Sequence, residues 1–295
     1  MINPHDEVYL NALRTILETG EERPDRTGVG TIGVFGLQMR FDLTQGFPAI
    51  TTKKLAWRAV VSELLWFIEG SGDERRLAEI LHGNRYTEQK TIWTDNATAD
   101  YWVNKRHQRH AADLGRVYGV QWRRWRKPVI RINKVVLQNH DQLLELIEGI
   151  KMDPYSRRHI ITAWNPGELE LMALPPCHMM AQFHVSNGRL SCQMYQRSAD
   201  FFLGIPFNIA SYALFTHMIA QVCNLEVGEL IISVGDAHLY KNHIEQVKEQ
   251  LTRTPMKAPS VRLNPNIQVI TDFEMTDVEL VNYQCHEAIK APMAV

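Results

Sequence analysis

Apolar positions recur at helical spacing from the start of the chain. Tyr9, Ala12, Leu13, Ile16 and Leu17 fall on one face of "MINPHDEVYLNALRTILETG", and Gly20 ends the run. After a polar "ERPDR" loop, "VFGLQMRFDL" alternates as a strand does. Gly28, Gly30 and Gly33 match G-x-G-x-x-G. That fingerprint needs a strand before it and a helix after it, so here it reads as a glycine-rich turn entering a strand. Good helix formers run from Lys53 to Glu69, and Gly70 stops them. Residues 84–128 are polar, irregular and rich in tryptophan (Trp93, Trp102, Trp122, Trp125), with Tyr118 near two glycines. A helix follows over about 141–151, then a "DPYS" turn and a strand begun by Arg157 and Arg158.

The clearest local element is "MMAQFHVSNGRLSCQMYQRS". Asn187-Gly188 is a preferred pair for a two-residue hairpin turn. Pairing outward sets Val185 opposite Leu190 and Phe183 opposite Cys192, with Met194 on the same apolar face. His184, Ser191, Gln193 and Tyr195 take the other face. The apolar helix "IASYALFTHMIAQVC" ends in Cys223. Cys192 and Cys223 are therefore structural thiols by pattern. No linker, repeat or low-complexity segment interrupts the chain, which reads as one domain over 1–295.

Composition adds limits. With 32 Lys+Arg against 33 Asp+Glu, the net charge of -1 argues against a dedicated nucleic-acid binder. The four cysteines are irregularly spaced, with no C-x-x-C pair, which speaks against a disulfide framework or a zinc site. No secretory signal or membrane-length apolar run is present, so the expected location is the cytoplasm.

Candidate chemistry centres on "LPPCHMM". Cys177 sits in a proline-bounded turn before the hairpin, where function concentrates, although a buried inert thiol is the commoner outcome. Nearby cations would favour its thiolate, and Arg26, Arg157, Arg158 and Arg197 are the candidates. His178 is its neighbour, but adjacent residues in an extended stretch point apart, so a Cys-His hydrolase would need another of the twelve histidines. His238 and His243, five apart, do not share a helix face as metal ligands at i, i+4 would. Glu63, hemmed in by Leu64, Leu65, Trp66 and Phe67, is placed to have its pKa raised. Asn208 precedes an apolar run; it is a plausible helix cap, or an amide able to read a uracil-like edge.

Several long motifs, in order from about residue 7 to the end, resemble the thymidylate synthase family: "DRTGVGT", "FPAITTKK", "SELLWFIEG", "LGRVYGVQW", "SRRHIITAWNPGELELMALPPCH", "QMYQRSADFFLGIPFNIASYAL", "GDAHLY" and "HEAIKAPMAV". The resemblance implies an α/β (α+β) fold whose large, twisted mixed sheet, flanked by helices, forms a homodimer interface. It implies reductive methylation of dUMP to dTMP, with 5,10-methylenetetrahydrofolate as cosubstrate and no metal. Cys177 would add to carbon 6 of the uracil. Arg26, Arg197 and Ser198, with Arg157 and Arg158 from a partner subunit, would hold the phosphate, and Gln196 and Ala199 would line the nucleotide site. Asn208 would read the pyrimidine, and His238 and Tyr240 the ribose. Glu63 and Tyr118 would organise proton transfer. Lys53, Trp93, Asp200, Leu203, Gly204, Phe207 and Ala294 would contact the folate, with Asp200 also near the nucleotide and the reacting atoms. Ala56, Thr94 and Ala199 depart from the family pattern. A deoxyuridylate hydroxymethylase on the same fold, a Cys-His hydrolase and a non-catalytic nucleotide-binding protein are the competing readings.

Overall fold

In a computed structural model, which describes residues 3–105, 107–132 and 134–292, Asn3 opens the first helix. Its side chain accepts from the His5 N–H at 3.0 Å, capping α1 (Pro4–Thr19). The expected face is turned inward: Tyr9, Ala12, Leu13 and Ile16 are buried, and Leu17 is half-buried. Strand β1 (Glu21–Arg23) pairs with β2 (Thr31–Asp42) across the glycine-rich loop, where Gly28 and Gly30 both have positive φ. That turn into a strand is what the sequence predicts.

The central unit is a hairpin followed by a crossover. Strands β6 (His178–Ser186) and β7 (Arg189–Asp200) flank Asn187 and Gly188, whose φ angles of 51° and 72° give the turn its left-handed geometry. Val185 faces Leu190 and Phe183 faces Cys192, in the predicted register. Helix α8 (Ile205–Val222) then crosses over to β8 (Glu226–Tyr240), which runs parallel to β7. The sheet order is β1-β2-β8-β7-β6-β5, with β5 (Ile160–Thr162) at the far edge. Every other pairing in it is antiparallel, so the sheet is mixed.

Met39 and Phe41 of β2, Cys192 and Met194 of β7, and Leu230 and Ile232 of β8 are fully or nearly fully buried. So is α8 along almost its whole length, as expected for a helix apolar all round. Helix α2 (Trp57–Glu69) packs on α8, and α3 (Glu74–His82) packs on α2. Across the middle of the sheet the opposite face stays open. There Gln38 and Gln193 donate to the Ser233 hydroxyl at 3.0 and 3.2 Å, Arg40 pairs with Glu229 at 2.6 Å, and Tyr195 is 40% exposed. Among the described residues no helix is long and apolar enough to cross a membrane.

Three expectations are corrected. The helix expected from Lys53 starts at Trp57. Thr51 and Thr52 are tied instead to the buried Asp6 carboxylate, and Lys53 turns inward. Arg157 and Arg158 precede the strand: β5 begins at Ile160, whose N–H donates to the Arg158 carbonyl at 2.9 Å in a tight turn. The stretch 84–128 is not merely irregular. It holds α4 (Thr94–Thr98), α5 (Asp100–Val103) and α6 (Gly119–Arg124), and the start of a ribbon of β3 (Trp125–Arg131) and β4 (Lys134–His140). The β-branched residues Val129, Ile130, Val135 and Val136 were the available signal for that ribbon. Both its faces are largely exposed, so no alternation marks it.

Helix α7 (Gln142–Met152), α9 (Ile244–Leu251) and a small sheet of β9 (Ser260–Leu263) and β10 (Val278–Val281) complete the chain.

Candidate active site

Cys177 immediately precedes β6, opposite the end of β7, and its carbonyl accepts from the Arg197 N–H at 2.8 Å. The Arg197 side chain folds back over the same turn. Its Nε and Nη2 donate to the carbonyls of Pro176 and Pro175 at 2.9 and 3.0 Å, and Nη2 lies 3.8 Å from the Cys177 Sγ. The two prolines thus offer carbonyls that aim a guanidinium at the thiol. Burial raises the Cys177 pKa above its ordinary value; Arg197, the Tyr118 hydroxyl and Arg26 pull it back. Cys192 shows what burial does without such neighbours, being pushed up to about 12. Cys223 is likewise held at about 11, consistent with a structural thiol at the end of α8.

Tyr118 is held under strain. Its φ of 27° is rare for a residue with a side chain, and its hydroxyl accepts from the Cys177 N–H at 2.8 Å. Gly119 beside it must be glycine, because a Cβ there would lie 2.2 Å from the Phe67 carbonyl oxygen. The Tyr118 ring packs 4.2 Å from the His178 ring and edge-on to Trp93 at 5.7 Å between centroids. Trp93 in turn donates its indole N–H to Glu63 at 2.7 Å. Burial pushes Glu63 up to about 7, with the Trp93 hydrogen bond opposing. One contiguous group therefore runs from a near-neutral carboxyl through two aromatic rings to the thiol.

His178 is locked away from that thiol. It is buried, hydrogen-bonded through Nδ1 with the Tyr212 hydroxyl at 2.9 Å, and pushed down to about 3 by burial. It serves packing and is not a base for Cys177.

The start of α8 forms the other wall. Gly204 is the N-cap, so Asn208 is the fourth helical residue and not a cap. Its Oδ1 accepts from Gln196 Nε2 at 3.1 Å; that amide also donates to the Ser198 carbonyl, and its own Oε1 is buried without a partner. Leu203, Gly204, Phe207 and Asn208 are half-buried amid fully buried neighbours. Asp200 Oδ1 accepts the N–H groups of Phe202 and Leu203 at 2.9 and 3.0 Å and shapes the turn into α8. Ala199 is buried, paired with Ala237 of β8.

Lys53 lies behind this turn. Its Nζ donates to the Phe202 carbonyl and sits 3.6 Å over the Phe202 ring, and burial holds it down to about 7 against the pull of Asp200. It supports the turn into α8 through these two contacts with Phe202. His238 Nδ1 donates to Asp236 at 3.0 Å, with the Tyr240 ring edge-on at 5.4 Å. His238 and His243 do not converge; His243 Nε2 donates to the Pro292 carbonyl at 2.7 Å.

Arg26 is exposed on its glycine-rich loop, yet close enough to oppose in part the rise that burial imposes on Cys177 and Tyr240. Arg157 and Arg158 are exposed at the turn before β5. Ala294 lies outside the described residues.

Thr94 and Ala56 now have a structural reading. The Thr94 hydroxyl, with that of Thr91, donates inward to the Glu74 carboxylate at 2.6 and 2.7 Å, where an aspartate would set two carboxylates together. Ala56 is exposed at the start of α2 and provides no side-chain cap.

Sequence reasoning missed Tyr212, which holds His178, and Trp164, whose ring lies 5.6 Å from the Arg197 guanidinium. Neither bears a local signal, since each matters only through a partner distant in sequence. A family model described as thymidylate synthase matches residues 7–295, nearly the whole chain.

Proposed function

The chain belongs to the thymidylate synthase family, and from that premise we propose that it converts dUMP to dTMP by reductive methylation through a covalent adduct on Cys177. The observation that carries the reading is the Arg197 guanidinium braced by two proline carbonyls 3.8 Å from the Cys177 sulfur. A fixed cation beside a half-buried thiol favours the thiolate, and a phosphate monoester would bring its own charge to the same arginine.

Addition of the thiolate to carbon 6 makes carbon 5 of the uracil an enolate nucleophile. 5,10-Methylenetetrahydrofolate supplies the one-carbon unit and then a hydride, leaving as dihydrofolate. Carbon 5 loses its proton before that reduction, and the sulfur leaves carbon 6 at the end, so the thiol is regenerated. Glu63, with its pKa near neutrality, exchanges protons at the pyrimidine oxygen. Tyr118, fixed by its bond to the Cys177 main chain, relays protons beside it. Asn208, steadied by Gln196, orients the base, and His238 and Tyr240 receive the ribose. Arg26, Arg197 and Ser198 hold the phosphate. Trp93, Leu203, Gly204 and Phe207 line the folate side, with Asp200 shaping their turn.

A second copy of the chain completes the site in this reading. The open middle of the sheet offers the surface for it, and Arg157 and Arg158 stand exposed to reach a partner's phosphate. The inward Thr94 removes one reason to favour hydroxymethylation, and the locked His178 disfavours a Cys-His hydrolase.

Intact-mass measurement after incubation with 5-fluoro-dUMP and 5,10-methylenetetrahydrofolate tests the reading. A ternary adduct that is absent in Cys177→Ser is expected; failure to form one would remove Cys177 from the chemistry.

A further inference from the structure

His243 is fully buried, and its Nδ1 has no hydrogen-bond partner. Its Nε2 lies 2.7 Å from the Pro292 carbonyl oxygen, which can only accept, so Nε2 carries the proton. Nδ1 then points toward Asp200 Oδ1 at 4.0 Å, about 1 Å beyond hydrogen-bond length. The ring lies 5.5 Å from that of Phe202 and 5.6 Å from that of Tyr240, so it cannot turn away without disturbing the turn after β7 or the end of β8. One buried side chain thus stands between the main chain at Pro292 and the carboxylate that shapes the turn into α8.

We propose that His243 is a positioning residue that couples the seating of the 286–292 segment to the alignment of Asp200. A small settling of the Asp200 turn onto the ring, when the folate side of the cleft is filled, would bring Oδ1 within reach, and Nδ1, on taking up a proton from solvent, would donate to it while Nε2 keeps its own proton for Pro292. The same ring would then hold Pro292 and Asp200 together. This rests on the folate-dependent reading above.

Two near-isosteric substitutions separate the two arms. His243→Gln keeps a donor near the Nε2 position for Pro292, and His243→Asn keeps one near the Nδ1 position for Asp200. His243→Leu removes both. The measurements are kcat and KM for 5,10-methylenetetrahydrofolate at saturating dUMP, the Kd of dUMP, the melting temperature, and hydrogen exchange of the 286–292 amides. For His243→Asn, a rise of about tenfold in folate KM with faster exchange at 286–292 is expected. For His243→Gln, kcat falls about tenfold while folate KM stays within about threefold. His243→Leu shows both losses, and dUMP binding changes by less than about twofold in all three. Equal losses in Gln and Asn, no loss in either, or losses that follow the melting temperature and dUMP affinity would overturn the coupling. A wild-type protein without turnover would defeat the underlying reading, and the inference with it.

Discussion

The Trp93 indole N–H donates to the Glu63 carboxylate at 2.7 Å, joining residues 30 positions apart at the head of the path that leads to Cys177. Burial pushes Glu63 up to about 7, and this hydrogen bond restrains the rise. The pH profile of kcat/KM should therefore show an ionisation near 7 that is missing in Glu63→Gln and moves upward in Trp93→Phe. An ionisation that stays in place in Trp93→Phe would separate Glu63 from the profile.

The same shift has a stability consequence. The folded carboxyl holds its proton more tightly than the unfolded one, whose ordinary value is 4.5. The stability it contributes is complete below that value and is lost as pH rises toward about 7. Glu63→Gln should then be more stable than wild type at pH 8, by about 1–3 kcal/mol, with the difference shrinking near pH 4. Denaturant unfolding at the two pH values measures it.

Arg197→Gln should slow alkylation of Cys177 by about tenfold at neutral pH, because the cation that lowers the thiol pKa is gone. Iodoacetamide kinetics, with Cys177→Ser as the blank, report it directly. An unchanged rate would show that the guanidinium does not set the thiol's reactivity.

Gly119→Ala should cost about 3 kcal/mol or more, since its Cβ would lie 2.2 Å from the Phe67 carbonyl oxygen. Thermal unfolding tests this. The shift it forces falls on Tyr118, so the activity remaining below the melting temperature should drop as well.

How far these relationships could be read in the sequence depends on how local they are. The Phe183–Cys192 register was legible because Asn187-Gly188 fixes the turn and alternation fixes the faces. The start of α2 was not: Lys53 has the propensity of a helix former, but its ammonium is committed to the Phe202 carbonyl, 149 positions away. Arg157 and Arg158 looked like strand residues because nothing local announces the turn closed by Ile160. Asn208 could be recognised as a candidate, yet its link to Gln196 exists only once β7 lies against α8. The Cys177 surroundings were legible as a set of cations, while the proline carbonyls that aim Arg197 were not.

If Arg157 and Arg158 serve the partner's site, two inactive variants should rescue each other. Cys177→Ser and the double variant Arg157→Ala/Arg158→Ala, mixed and reassorted, would form mixed dimers with one complete site. Activity should return to about a quarter of the wild-type value under random pairing. No recovery, with dimers confirmed by sedimentation, would place the arginines outside the partner's site.

The most direct measurement is the identity of the products after incubation with dUMP and 5,10-methylenetetrahydrofolate. The expected result is dTMP and dihydrofolate in equal amounts, with neither formed by Cys177→Ser. Finding 5-hydroxymethyl-dUMP with tetrahydrofolate, or no turnover of dUMP, would contradict reductive methylation.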